Sequence, residues 1–132
     1  MGLLHSMPLL LLFDFAAAFP SVAHAWIFNV LLLINMPEGL YDLICALYKC
    51  NMAYMCTPAG NKFMFIIVWG VLQGCPLSGS LFVMAIDPLL HMFRIMLEDS
   101  ALGAVRACAD DIGIALRTSG ASSFLYDVFA KI

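Results

Sequence analysis

The chain has 132 residues, of which 64% are hydrophobic and 11% charged, and its net charge is −3. That length suffices for one domain with a buried core, but a net negative chain lacks the basic face of an independent nucleic-acid-binding protein. A mean hydropathy of +0.98 is typical of membrane proteins. However, no run of about 18 apolar residues is free of interruption, as a membrane-spanning helix would require.

The cysteines indicate a reducing compartment. They form no Cys-x-x-Cys pair, and their odd number argues against a closed set of disulfides. Reduced, mostly buried thiols are the usual state in intracellular proteins, so we expect the chain in the nucleus or cytoplasm. The cysteines are Cys45, Cys50, Cys56, Cys75 and Cys108.

The first predicted element is a buried strand, Leu9–Phe15, which carries one acid, Asp14, near its C-terminal end. Because an unpaired buried charge is costly, we expect Asp14 to be paired or metal-bound. Ser21 is a candidate N-cap for a helix that runs to about Asn35. Pro37-Glu38 suits the first turn of a second helix, whose apolar residues follow one face.

The middle of the chain predicts a hairpin, a loop and a long helix. Gly60-Asn61 marks a turn before the apolar run Phe63–Trp69, which indicates a hairpin. The segment Gly70–Gly79 is rich in Gly, Pro and Ser and therefore predicts a loop. The apolar segment after it, Ser80–Leu97, has the length of a helix, with a kink expected at Pro88.

Two adjacent acids, Asp110 and Asp111, lie between the short apolar runs Leu102–Ala107 and Ile112–Leu116. Such runs predict the arms of a β-hairpin with both acids at its tip. Neighbouring side chains on a strand point to opposite faces, but a tight turn can direct both toward one point. Carboxylate oxygens are ligands for hard divalent cations such as Mg²⁺, and a polar turn without a ligand is the alternative.

A last helix over Ala121–Ile132 completes the predicted order β-α-α-β-β-α-β-β-α. This order predicts an α+β fold in which a small antiparallel sheet packs on helices. Such a sheet can bring together the strand ends that carry Asp14, Asp110 and Asp111. Carboxylates from two strands, with two metal ions, form a clamp for in-line phosphoryl or nucleotidyl transfer.

Three stretches, in this order, resemble the motifs of reverse transcriptases. The segment Asp14–Val22, which reads DFAAAFPSV, resembles motif A. The segment Ala107–Asp111, which reads ACADD, resembles motif C. Motif B, in the wording typical of non-LTR (LINE-type) retroelements, is resembled by Gln73–Ser78, QGCPLS, followed by Leu81-Phe82. The likeness spans most of the chain, and three motifs in family order are a specific signal.

The resemblance implies a metal site. Asp14 and Asp110 would be the principal ligands, with Asp111 as the second acid of motif C. The backbone carbonyl of Phe15 would complete the shell of one ion. The family uses two Mg²⁺ ions, for which Mn²⁺ can substitute.

The resemblance also implies substrate contacts. Phe19 matches the aromatic residue that crowds a ribose 2′-hydroxyl and so selects deoxynucleotides, while Gln73 and Gly74 would line the pocket for the incoming nucleotide and template. An ordinary core aromatic and a polar turn are the respective alternatives. Two positions depart from the family pattern: Pro20 replaces an Asp common after the aromatic, and Cys108 replaces the usual Tyr or Phe before Ala-Asp-Asp.

We therefore interpret residues 1–132 as a partial reverse transcriptase palm domain that holds motifs A, B and C, with fingers and thumb largely missing. The implied function is that of an RNA-directed DNA polymerase of a retrotransposon, a nucleotidyltransferase whose partners are an RNA template, a DNA primer and deoxynucleoside triphosphates, without a membrane. The chain alone is expected to be inactive, because nothing holds primer and template. It is also expected to be poorly soluble, because the faces meant for fingers and thumb would be exposed apolar patches. Two alternatives are a small hydrophobic membrane protein and a non-catalytic, domesticated palm that acts as an interaction module.

Overall fold

A computed structural model of the chain describes residues 7–15 and 17–129. The chain divides into two compact units, which we call unit 1 (Met1–Ala16 and Asp87–Ile132) and unit 2 (Ala17–Ile86). The helices and antiparallel strands follow the predicted order, apart from one additional short helix, a π-helical turn and a 3-10 turn, so the α+β prediction is confirmed. In chain order the elements are β1 (Leu9–Asp14), α1 (Ala18–Ser21), α2 (His24–Leu33), α3 (Glu38–Tyr48), β2 (Asn51–Thr57), β3 (Gly60–Ile67), α4 (Ser78–Arg94), a π-helical turn (Ile95–Asp99), β4 (Gly103–Cys108), β5 (Asp111–Leu116), a 3-10 turn (Ser119–Ala121) and α5 (Ser122–Phe129).

Unit 1 contains an antiparallel three-stranded sheet in the order β1-β5-β4. On the central strand β5, the residues Ile112, Ile114 and Leu116 are buried and alternate with less buried neighbours, as the two-residue period of a strand dictates. The strand prediction for β1 is correct to within one residue, but its residues also alternate in exposure. The expectation of a strand buried on both faces is therefore wrong, because only one face of this sheet is covered, and the central strand β5 alternates in the same way.

The close approach of β4 to β5 depends on a glycine. A Cβ atom added to Gly103 would lie 2.2 Å from the carbonyl oxygen of Ala115 on β5, which is a backbone atom that cannot move aside cheaply. Gly103 is paired in register with Leu116, so this contact fixes the end of the hairpin that is farthest from its turn.

Unit 2 has a helical core. Buried side chains of α2, α3, the loop before α4 and the first turns of α4 form one apolar cluster. The indole Nε1 of Trp26 on α2 donates a hydrogen bond of 2.8 Å to the carbonyl oxygen of Ala85 on α4. The buried members of the cluster are Ile27, Leu31, Ile44, Tyr48, Val71, Leu81 and Ala85.

The helix starts follow the sequence only in part. Helix α3 begins at Glu38, one residue after the predicted start, and Pro37 is its N-cap and not a residue of its first turn. Ser21 does not cap α2, because its hydroxyl donates to the carbonyl oxygen of Ala17 at 2.7 Å inside the one-turn helix α1. Helix α2 instead begins at His24, without a side-chain cap.

The hairpin of β2 and β3 is present as predicted, and β3 is exposed along its whole length. Ala53 pairs with Phe65 and Tyr54 pairs with Phe63, so Met64 is an extra residue that forms a bulge on β3. The hairpin therefore forms without a buried face of its own.

Helix α4 keeps Pro88 inside it and continues into the π-helical turn. The continuous helix, Ser78–Asp99, has 22 residues and is long and apolar enough to cross a membrane by length and composition alone, although 28% of its most apolar window is buried within the protein.

Candidate active site

The register of β1 on β5 places two acids directly opposite each other. Asp14 is the Cα partner of Asp111 at one end of the sheet in unit 1. Directly opposite residues on an antiparallel pair point to the same face, with Cβ atoms about 5 Å apart. Both side chains lie on the exposed face, since Phe13 and Ile112, the preceding pair in the register, point to the buried one.

The third acid lies in the turn beside this pair. Cys108 pairs with Asp111, so Ala109 and Asp110 form the two-residue turn of the β4–β5 hairpin. Ala109 has a φ of +53°, in the left-handed region that is unfavourable for residues other than glycine. The structure thus places Asp110 in the turn and makes Asp111 the first residue of the strand, whereas the sequence predicted both acids at the tip.

The electrostatic setting of the acids differs from the expected one. Asp14 and Asp111 are exposed and Asp110 is half-buried, so the expectation that Asp14 is a buried charge is wrong. Within residues 7–15 and 17–129, the ion pair present joins Arg106 to Glu98 at 3.1 Å and leaves the acids without a basic partner. Like charges directly opposite on a sheet repel each other, so the pair destabilises the metal-free sheet.

The donor set is suited to Mg²⁺, but the side chains do not form a finished site. Three carboxylates at one sheet end are hard oxygen ligands of the kind that Mg²⁺ and Mn²⁺ take. Yet among the described residues no three His, Cys, Asp or Glu side chains lie close enough together to hold an ion. Phe15, the predicted carbonyl ligand, directly follows β1 and is half-buried. The backbone thus brings the acids to one sheet end, while their side chains do not converge.

Phe19 is packed as a core aromatic. Its ring stacks on the ring of Phe82 from α4, with centroids 4.6 Å apart and planes 17° apart. Its carbonyl oxygen accepts a hydrogen bond of 3.0 Å from the backbone N–H of Val71. Phe19 therefore has the contacts of an ordinary core aromatic, and these contacts also fix the position of its ring within unit 2.

Gln73 and Gly74 form an exposed turn in the loop before α4. Gly74 has a φ of +85° and nothing within 4 Å of an added Cβ, so the backbone conformation and not crowding favours glycine there. The N–H of Cys75 closes the turn on the carbonyl oxygen of Leu72 at 3.1 Å. Gln73 and Gly74 thus form a polar turn, which was the alternative to a substrate-binding role.

Two buried side chains that no sequence motif indicates hold this loop. His24 is 5% exposed, and its Nε2 lies 2.8 Å from the carbonyl oxygen of Gly70, so that nitrogen donates. The hydroxyl of Tyr48 accepts the N–H of Leu72 at 3.1 Å, and the two rings meet edge to face at 5.1 Å. A single His and a single Tyr on apolar helices carry no motif, which is why sequence reasoning missed them.

The predicted site residues are divided between the units. Asp14, Phe15, Asp110 and Asp111 belong to unit 1, and the three acids among them are brought to one end of its sheet. The substrate-contact candidates belong to unit 2, where the hydrogen bond between Phe19 and Val71 ties the segment of motif A to the loop that carries motif B. Those candidates are Phe19, Gln73 and Gly74.

A comparison with solved structures identifies the fold. The structure of telomerase from Candida albicans, in complex with the TWJ fragment of telomeric RNA, is similar to this chain with a TM-score of 0.71 at 13% sequence identity. The likeness covers 94% of this chain and 25% of the telomerase chain, so this chain spans a quarter of that protein's length. No family model and no curated protein matches the sequence. The chain has a reverse-transcriptase-like fold.

Proposed function

We propose that the chain is the palm core of an RNA-directed DNA polymerase derived from a non-LTR retroelement, and that its acids bind two divalent cations. The observation that carries this proposal is the register of the sheet, which sets Asp14 opposite Asp111 and next to the turn residue Asp110. Three like charges at one sheet end repel one another, and bound cations would offset this repulsion. The order of the three motifs and the reverse-transcriptase-like fold support the same assignment.

In this proposal each residue has a defined task. Asp14, Asp110 and Asp111 would hold Mg²⁺, with Mn²⁺ as a substitute, and the carbonyl of Phe15 would add a ligand. Bound cations would supply charge stabilisation for phosphoryl transfer and would activate the attacking hydroxyl. Closing the site requires the three carboxylates to rotate toward one another, since they do not converge in the structure.

The residues proposed to contact the substrate belong to unit 2. Phe19, held by its stacking on Phe82, would crowd a ribose 2′-hydroxyl and so select deoxynucleotides. Gln73 and Gly74 would contact the incoming nucleotide and the template from the exposed turn. The substrates and partners would be deoxynucleoside triphosphates, a DNA primer and an RNA template, in the nucleus or cytoplasm. These 132 residues by themselves would be inactive, because a net charge of −3 leaves little to hold the acidic backbones of primer and template.

A titration with Mn²⁺, followed by electron paramagnetic resonance of the free ion, tests the metal site. We expect saturable binding by the unaltered chain, competed by Mg²⁺, and binding at least about tenfold weaker in Asp14→Asn/Asp110→Asn. The control Asp42→Asn/Asp99→Asn removes the same two charges from exposed acids elsewhere and should bind as the unaltered chain does.

Equal binding by the site variant and the unaltered chain, in samples with the same far-UV circular dichroism, would show that the acids do not form a metal site. The proposal would then fail as a description of this chain. Primer extension on an RNA template by the chain alone would contradict the expected inactivity.

A further inference from the structure

The β2–β3 hairpin of unit 2 presents an uncharged apolar face to solvent. Its members Met52, Tyr54, Phe63 and Ile66 are exposed by 50%, 51%, 49% and 55%. The rings of Tyr54 and Phe63 meet edge to face at 5.9 Å, and the Tyr54 hydroxyl donates to the sulfur of Met52 at 3.4 Å. At about 200 Å² per side chain, these four expose roughly 400 Å². A patch of that size on a monomer is often functional.

The outer edge of β2 adds unpaired backbone groups to this face. The sheet in the described part of unit 2 has only two strands, so the other edge of β2 has no strand partner there. Strand edges are normally protected by Lys, Pro or a bulge. The segment Asn51–Thr57 contains no charge, Pro or Gly, and the bulge of the hairpin, Met64, is on β3. The edge of β2 is therefore a regular seven-residue template for another strand.

We propose that two copies of the chain associate through the outer edges of β2, paired antiparallel with Tyr54 of one copy directly opposite Tyr54 of the other. This register pairs all seven residues of the strand and sets Met52 of one copy opposite Cys56 of its partner. The two hairpins become one four-stranded sheet with the apolar face continuous across the junction.

A second copy fits this edge better than a charged partner does. No acid or base occurs between Lys49 and Lys62, so two copies meet without like charges at the junction. Short uncharged segments without Pro or Gly can pair with their own copies. Pairing at one edge joins the copies through backbone hydrogen bonds and leaves most of both hairpin faces exposed, so the contact is smaller than the approximately 800 Å² per partner of a standard interface. The dimer is therefore concentration-dependent.

Charged substitutions of Tyr54, which faces its own counterpart in the proposed dimer, test the proposal. Tyr54→Glu and Tyr54→Lys each place like charges opposite each other in the dimer, so each variant alone should self-associate at least about tenfold more weakly than the unaltered chain. An equimolar mixture places opposite charges together and should restore the dimer as a heterodimer. Native mass spectrometry with one variant labelled with ¹⁵N distinguishes the heterodimer from the two homodimers.

The control is Tyr126→Glu, the same substitution at an aromatic that is 75% exposed on α5, and it should dimerise as the unaltered chain does. A disulfide between position 52 of one Met52→Cys copy and Cys56 of the other is the second expected result, because opposite Cβ atoms lie within disulfide reach. An unaltered chain that stays monomeric overturns the proposal, as does a mixture without heterodimer. Open-ended association that the Tyr54 substitutions leave unchanged also overturns it, because apolar faces then act without the β2 edge.

Discussion

Replacing one acid of the opposed pair should stabilise the metal-free sheet. In Asp14→Asn the carboxylate opposite Asp111 becomes a neutral amide of the same shape, so the repulsion across the strands is lost. Two unit charges about 6 Å apart in water repel by about 0.7 kcal/mol, and cross-strand pairs contribute up to about 1 kcal/mol. We therefore expect the free energy of unfolding to rise by about 0.5 kcal/mol at low ionic strength. At about 0.15 M salt screening should remove roughly half of this gain.

The assay has to report on unit 1. Both tryptophans, Trp26 and Trp69, belong to unit 2, so tryptophan fluorescence would follow the other unit. Amide hydrogen exchange of β5, measured with a chelator present, reads the sheet directly. The control is Asp99→Asn, which removes the same charge from an exposed acid of unit 1 outside the sheet and separates local repulsion from net charge.

Added Mg²⁺ should make the unaltered chain more stable than Asp14→Asn, the reverse of their order without metal. A site that binds the folded chain stabilises it by about 1.4 kcal/mol when the free ion is at about ten times its dissociation constant. This gain exceeds the repulsion removed in Asp14→Asn, so the unaltered chain becomes the more stable one in Mg²⁺. If Asp14→Asn and Asp99→Asn change the exchange of β5 equally in the chelator, Asp14 and Asp111 do not face each other, and the reasoning is refuted.

Three further substitutions test the backbone of the two units. Gly103→Ala, whose Cβ would meet the Ala115 oxygen, should destabilise unit 1 by about 2 kcal/mol or more in urea unfolding followed by circular dichroism. Ala109→Gly relieves the left-handed φ of the turn and should slow the exchange of the hairpin amides, a gain of up to about 1 kcal/mol. Tyr48→Phe leaves the N–H of Leu72 without its acceptor and should lower the melting temperature through a cost of about 1–2 kcal/mol.

Two matched substitutions are expected to give the opposite sign. Gly39→Ala lies in a helix with nothing within 4 Å of the new Cβ, so it should stabilise the chain by about 0.5–1 kcal/mol. Ala107→Gly, in the same hairpin as Ala109 but within a strand, should destabilise it by about that amount. Destabilisation by both Ala→Gly changes would show that the turn at Ala109 is not strained.

The order of the elements could be predicted because each one has a local cause. Pro37 fixes the start of α3, and the two short apolar runs around the acids can form only strands of their length. The pairing of β1 with β5, which sets Asp14 opposite Asp111, could not be predicted, since register depends on which strands become neighbours. The predicted burial of Asp14 was wrong because an apolar run does not show whether one or both faces of its strand will be covered, and only one face of β1 is.

The hydrogen-bond partners of individual polar side chains were also beyond prediction. Ser21 has the residue type of an N-cap, but the chain turns once more before α2 and its hydroxyl bonds within α1. His24 and Gly70 are 46 residues apart, and no sequence pattern relates them. The motifs of the site were readable because they are local, whereas the groups that hold the motif B loop come from two helices and are defined only by the tertiary packing.

The burial pattern of helix α4 bears on whether the apolar composition indicates a protein core or a membrane protein. The continuous helix Ser78–Asp99 is long enough to span a membrane, but within each unit its buried residues recur at intervals of three and four, as a stripe on one helical face requires. They are Ser78, Leu81, Phe82 and Ala85 in unit 2, and Phe93 and Leu97 in unit 1. Such a stripe is the pattern of a helix packed on a protein core, and Val83, off the stripe, is 55% exposed. We expect hydrogen exchange of this helix to be the same with and without phosphatidylcholine vesicles. Protection by the vesicles that extends to the residues around Val83 would instead mean that the helix enters the bilayer and that the membrane-protein alternative is correct.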